Sequence, residues 1–343
     1  MPTQSNPNNK RKVLFILSVD TEEEFDWNGD FPQNTCNVEN VQQIPKFQAF
    51  CESLGVRPTY LVDYPVANDI KAANILKNIA QTKNAEIGAH LHPWCNPPME
   101  GANGERESHV VNLAPNLVRA KLQSLTSTIK RNIEVTPTVF RTGRWGTNEA
   151  VINITRGEGY DIDSSVYPYY INEDFSCENT PDKPYWPNLS SPNLAGPKCD
   201  IFELPITAGF NRSNFPFWDK VHRLLSSKFM DPLRLIGFAW KTNILRKIYL
   251  CPELSTTDDM IALTEAALTS ENPVIHMYIH SSSLLPGRNE YTQNNGDEKR
   301  FYTSIADVVE HLANQNDVTF CTITEARDLL LEGFAGYTAP QID

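Results

Sequence analysis

Five short segments hold the residue types that hydrolytic chemistry needs. The first, Ser18-Val19-Asp20-Thr21-Glu22-Glu23-Glu24-Phe25-Asp26-Trp27, runs straight out of an apolar stretch. Residues i and i+2 of a strand share a face, so Asp20 and Glu22 can converge. Two carboxylates at the C-terminal end of a parallel strand lie where α/β enzymes place their chemistry. The second, Glu86-Ile87-Gly88-Ala89-His90-Leu91-His92-Pro93-Trp94, puts His90 and His92 on one face, able to aim two nitrogens at one ion. In the third, Phe140-Arg141-Thr142-Gly143-Arg144-Trp145-Gly146, an arginine at a strand end can orient a carboxylate or bind substrate oxygens in a fork. The fourth, Tyr160 to Pro168, carries Asp161, Asp163, Ser164 and Ser165, which also suit a turn. The fifth, Ile275 to Gly287, ends an apolar strand at His280. His276 lies deeper on the same face and reads as a core histidine, which leaves His280 as the better acid.

Each motif alone has a plain structural explanation, such as a solvated acidic loop or a surface arginine. Their shared position, each after a strand-like run, is what makes them a set. Together they form the inventory of metal-assisted amide hydrolysis: an ion to polarise the carbonyl and activate water, a carboxylate to take the proton, and an acid for the leaving amine. A site of two histidines and one carboxylate also leaves coordination positions open.

Strands and helices must alternate to place these motifs. Strand patterns fall at Val13–Val19, Pro58–Val62, Ala85–His92, Val135–Phe140, Tyr160–Ser165, Ile201–Ile206, Val274–His280 and Val318–Thr322. Helical spacing falls at Val38–Ser53, Asn68–Ile79 with Asn68 as N-cap, Asn116–Arg131, Asn148–Gly157, Thr257–Thr269, Thr303–Gln315 and Thr324–Leu331. Residues 217–250 carry apolar and basic residues in helical spacing. This alternation predicts βαβ units and a mostly parallel sheet, and their number favours a barrel over an open sheet. Residues 167–200, rich in Pro, Asn, Ser and aromatics, read as a surface excursion. Residues 1–12 read as a disordered leader, and 13–335 as one domain.

The chain has 343 residues, 40% of them hydrophobic and 21% charged, which is ordinary globular composition and excludes a disordered or fibrous chain. No apolar run approaches the roughly 18–20 residues of a membrane span. The formal net charge is −12, with no dense Lys/Arg run, which argues against nucleic acid as a partner. Seven scattered cysteines without a CxxC pair fit a reduced cytoplasm. No residue pattern speaks to the oligomeric state.

The five motifs, spanning Ser18 to Gly287, resemble those of the polysaccharide deacetylase superfamily (NodB homology, carbohydrate esterase family 4). The likeness is closest to its WalW-like branch associated with lipopolysaccharide and surface-glycan biosynthesis. That resemblance implies a distorted (β/α)7 barrel with a metal at the strands' C-terminal ends. It implies Asp20 as general base, Arg141 as the arginine that holds it, with Arg144 as an alternative, and His280 as general acid. Asp163 falls near the motif that steadies the catalytic histidine. The family's first motif typically reads Thr-Phe-Asp-Asp. Thr21 stands at the second Asp, so the ligand role passes to Glu22. A second histidine usually follows the first by four residues. Trp94 stands there, so His90 and His92 must supply both ligands, or only one remains.

The implied function is removal of an N-acyl group, most simply acetyl, from an amino sugar of a surface glycan or its precursor, with one divalent ion, Zn²⁺ by expectation. Trp27, Trp94 and Trp145 could stack on a sugar ring, core packing being the alternative. The rival readings are a non-catalytic glycan-binding relative, a deformylase, and a hydrolase of other amides or imides on the same barrel.

Overall fold

A computed structural model describes residues 10–25, 29, 31–33, 36–101, 103–227 and 235–340. The expected leader therefore lies almost wholly outside the described residues, and so does Trp27.

The central strand β1 (Lys12–Thr21) is buried from Val13 onward. Its unbroken apolar run follows from helices covering one side and a packed interior filling the other. Parallel strands β2 (Thr59–Val62), β3 (Glu86–Leu91), β4 (Val139–Thr142), β5 (Ile162–Asp163) and β6 (Phe202–Glu203) follow on one side of β1, and β7 (Val274–His280) pairs on the other. A last strand, β8 (Asp317–Phe320), pairs with the first half of β1, while β2 pairs with its second half. Helices α1 (Ile44–Ser53), α2 (Ile70–Gln81), α3 (Pro115–Asn132), α4 (Glu149–Gly157), α5 (Phe215–Leu225), α6 (Leu235–Lys241), α7 (Thr257–Thr269), α8 (Asn295–Gln315) and α9 (Ile323–Leu331) complete the chain.

The curved sheet is a distorted (β/α)7 barrel, closed by irregular chain rather than by strand pairing. Between β6 and β7, Thr207 N–H donates to the His276 carbonyl (2.9 Å), Leu250 N–H to Thr207 (3.0 Å) and Tyr278 N–H to Leu250 (3.2 Å). The segments that bridge the gap flank a hairpin, Ala208–Phe210 with Lys247–Tyr249. Helices α5 and α6 hang from that hairpin.

Two expectations are corrected. The N-cap of α2 is Asp69, whose carboxylate accepts from Lys71 and Ala72 N–H; Asn68 ends a preceding short helix instead. Residues 167–200 do lack helix, but they are no loose surface excursion. Tyr167, Tyr169, Cys177, Tyr185 and Trp186 are buried, because aromatics spaced through this segment pack down onto the sheet and the hairpin. No helix among the described residues is long and apolar enough to cross a membrane.

Candidate active site

The alternation of β1 builds the site in layers. Val13, Phe15, Leu17 and Val19 face the helices, and Leu14 and Ile16 face inward with Leu61, Val139, Ile162, Phe202 and Val274. This apolar plug carries a polar layer of Ser18, Arg141, Ser164 and His276. His276 Nδ1 faces the Pro205 carbonyl (3.2 Å) and its Nε2 faces Ser18 Oγ (2.9 Å). Burial, with Arg141 nearby, holds its pKa well below the usual range, so it is a neutral core histidine, as the sequence suggested.

Above that layer the inward residues are acidic or basic. Asp20 lies directly in register with His280 on β7, and His90 with Arg141 on β4, so parallel pairing alone aims four functional side chains to one side. Arg141 is fully buried and donates to Asp20 Oδ1 (2.6 Å), the Ser164 carbonyl (2.9 Å) and Ser164 Oγ (3.0 Å). A buried guanidinium needs such partners, and in return it fixes the orientation of the Asp20 carboxylate.

Glu22 Oε2 lies 3.3 Å from Nε2 of both His90 and His92, all three side chains being buried. Glu22 is tied down by its own N–H, which donates to Ser281 Oγ (3.1 Å). Their ligand atoms fall within 4.8 Å of one another, a grouping that could hold one metal ion. Among the described residues, Glu22 Oε2 and both ring nitrogens of His90 are buried without a hydrogen-bond partner. Such orphaned polar atoms are costly unless something else satisfies them, and a cation between them does so. Burial pushes the Glu22 carboxyl up, but His280, His90 and His92 more than offset it and hold it well below the usual carboxylate range. Burial lowers the His90 pKa, keeping a neutral imidazole with a lone pair to give. The donor set therefore fits a divalent ion, with His90 and His92 as the two imidazoles that would hold it.

A second layer of contacts aims His92. Glu23 Oε2 accepts from His92 Nδ1 (2.9 Å), which leaves Nε2 turned toward Glu22. Glu23 Oε1 in turn accepts from Trp94 Nε1 (2.7 Å), and the Trp94 ring stacks on the imidazole at 4.2 Å. A carboxylate behind a metal-ligating histidine fixes tautomer and ring angle. Gly143 provides the clearance: a Cβ there would sit 1.9 Å from His92 Cδ2 and 2.6 Å from Nε2. Buried Lys121 draws in the loop after His92, donating to the carbonyls of Pro93 (2.8 Å), Asn96 (2.6 Å) and Pro98 (2.7 Å).

On the opposite side His280 Nδ1 donates to Glu253 Oε2 (2.5 Å), and its backbone N–H to Glu253 Oε1 (2.9 Å). Burial would lower the imidazole's pKa, but Glu253 and Glu22 raise it to about 10, which favours the protonated ring. Glu253→Gln removes the nearest carboxylate and must lower that pKa. If His280 acts as the acid, the alkaline limb of kcat moves to lower pH by about one unit or more while the acid limb stays. A pH–rate profile on metal-loaded protein checks this, and an unmoved alkaline limb would count against His280.

The sequence places Asp163 near the motif expected to steady His280, but the carboxylate beside His280 is that of Glu253. Asp163 pairs with Phe140 across β4, one residue out of phase with Arg141, so it points to the other face. It accepts from Ser165 Oγ (2.5 Å), which itself accepts from Thr142 N–H (3.0 Å), thereby bracing the ends of β4 and β5. Burial raises its pKa to about 6, and the neighbouring Glu203 is pushed up further by burial and by Asp163. Arg144 does not reach Asp20; it pairs with Glu105 (2.8 Å) and Ser108 Oγ (2.6 Å). Trp94 is too buried to serve as a sugar platform. Trp145 is half-buried, stacks on Tyr167 at 4.6 Å and lies under the Arg141 guanidinium at 4.9 Å.

Sequence reasoning missed Glu23, Glu253, Gly143 and Lys121. Glu23 stood in the acidic run but on the wrong phase for the inner face. Glu253 lies in an aperiodic loop, where no spacing signal exists.

No family model and no curated protein matches the chain. Among solved structures, one from Mycobacterium smegmatis, assigned as a polysaccharide deacetylase, superposes with a TM-score of 0.54 at 14% identity, covering 99% of this chain and 96% of that one. The chain has the polysaccharide deacetylase fold. A family 4 carbohydrate esterase from Streptomyces lividans in complex with acetate gives a TM-score of 0.40 at 12% identity, covering 97% and 98%. A family 4 acetyl xylan esterase from Clostridium thermocellum with a cobalt ion gives 0.40 at 14% identity, covering 95% and 93%.

Proposed function

We propose that the protein is a metal-dependent hydrolase that removes an N-acyl group, acetyl in the simplest case, from an amino sugar of a surface glycan or its precursor. The observation that carries this reading is one convergence. Glu22, His90 and His92 gather their ligand atoms beside Asp20, which Arg141 orients, and His280 stands in register across from it.

Glu22, His90 and His92 would hold the ion, with Zn²⁺ the ion we assign to this mixed oxygen and nitrogen set. Bound there, the ion would supply Lewis acidity for the acyl carbonyl and lower the pKa of water. Asp20, its carboxylate fixed by Arg141, takes the proton from the attacking water as the new C–O bond forms. The His280 imidazolium places its Nε2–H toward the site, because Nδ1–H is committed to Glu253. It delivers that proton to the amide nitrogen as the C–N bond breaks, giving a free amine and a carboxylate. Of the water's two protons, the one taken by Asp20 restores through solvent the one that His280 gave to the amine, and the other leaves as the new carboxylic acid ionises, so the enzyme ends as it began. Placement in the WalW-like branch and in the cytoplasm belongs to the same proposal; the seven cysteines are all free thiols, which agrees with it.

The test couples metal to product. Elemental analysis of protein purified without chelator should find about one divalent ion per chain, and acetate release from N-acetylated sugars should disappear on chelation and return with zinc. Protein that takes up no ion even after zinc soaking would support the non-catalytic alternative.

A further inference from the structure

We infer that helices α5 and α6 form a docking surface for an anionic membrane. This inference is independent of the hydrolase reading. Five large apolar side chains stand out of this segment: Phe217 (52% exposed), Leu224 (57%), Phe238 (61%), Trp240 (45%) and Ile244 (47%). Phe217, Lys220 and Leu224 recur at i, i+3 and i+7, so they share one face of α5. The other face of α5 is already used, with Phe215, Trp218, Val221 and Leu225 packed on the core. The helix is thus apolar on two sides, and only one of them is needed for folding.

Charge singles out the occupant. Within the described residues of 211–250 there are six basic side chains, Arg212, Lys220, Arg223, Lys241, Arg246 and Lys247, and one acid, Asp219. Asp219 is buried and paired with Arg223 (3.0 Å). Arg223 and Arg246 also bind Glu178 and Asp259, and Lys247 donates to the Tyr169 carbonyl. Arg212, Lys220 and Lys241 remain exposed among the apolar side chains. The whole chain carries −12, so this basic face stands against an acidic remainder.

Exposed Phe, Leu and Trp beside Lys and Arg is the composition of interfacial helices, whose rings enter the headgroup region while the cations meet anionic lipid. A two-fold dimer through this face would oppose like charges. A head-to-tail contact with the acidic surface of a second copy would build a ring or an open filament rather than a pair. An anionic bilayer meets both requirements, and it repels the rest of the molecule, which fixes the orientation.

Co-sedimentation of the full chain with vesicles tests this, comparing phosphatidylcholine alone with phosphatidylcholine containing about 30% phosphatidylglycerol, at about 0.1 M salt. The expected result is binding to the anionic vesicles at least about tenfold tighter than to the neutral ones. Lys220→Glu with Lys241→Glu should abolish that preference. Phe217→Ser with Phe238→Ser and Trp240→Ser should weaken binding to both, and each variant should keep the parent's circular dichroism and unfolding temperature. Absence of vesicle binding, or equal binding to both compositions, overturns the inference. So does a dimer that the serine variant splits in a chain that ignores vesicles, since the face would then join copies of the protein.

Discussion

Asp20→Asn is expected to lower acyl hydrolysis by about a thousandfold while leaving the bound ion in place, because a positioned base contributes roughly 10²–10⁴ in rate. Asparagine is the informative choice. Its amide oxygen can still accept from Arg141, whose only carboxylate partner among the described residues is Asp20. Alanine would take away the acceptor as well as the charge and leave the buried guanidinium with an unfilled pocket beside it, at a cost of about 3–5 kcal/mol, and would confuse lost chemistry with lost folding. Asp20 is not among the three grouped ligand residues, so metal content should match the parent. Kinetics and elemental analysis on one preparation decide the matter. Near-parental kcat with metal present would remove Asp20 from the mechanism.

Gly143→Ala is the more severe test of the metal site, because it touches no ligand in sequence. The added methyl would overlap His92 at 1.9 Å and meet the Leu91 carbonyl at 2.9 Å, so backbone blocks one escape and the imidazole must give way. Moving the ring breaks its contact with Glu23 and pulls Nε2 from Glu22. Contacts behind a ligand typically hold 10–100-fold of metal affinity, and displacement of the ligand itself should cost at least about 100-fold. His92→Ala should do the same by deletion, and Glu23→Gln should do so more mildly. Competition with a chromogenic chelator gives the affinities. Parental affinity in Gly143→Ala would mean that His92 does not hold the ion.

How far the sequence led depends on the kind of signal. Strands β1 and β7 and helix α7 were legible, because long apolar runs and clean periodicity leave little choice of element. That the candidate residues on the even phase of β1 and on β3, β4 and β7 share one side was legible for the same reason: a period of two assigns a face to every side chain once the strand is known. Asp163 shows where this fails. Strand β5 has two residues, too few to establish phase, and a shift of one position turned a supposed site residue to the other face. Glu253 was invisible because its partner is 27 positions away and only the tertiary fold joins them. Trp94 was recognisable as aromatic but not as buried, since packing rather than composition decides what a ring touches.

The way β1 is flanked also bears on how quickly the molecule can form. Its first half is walled by a strand that begins at Asp317 and its second half by one that begins at Thr59, with β7 along the other edge. One strand thus takes neighbours that lie more than 250 residues apart in the chain. Pairings so distant pay their loop-closure entropy before any contact returns it, which slows folding relative to a chain built from local contacts. In refolding from denaturant, far-ultraviolet signal from the early helices should therefore recover ahead of the enclosure of His280 beside Asp20.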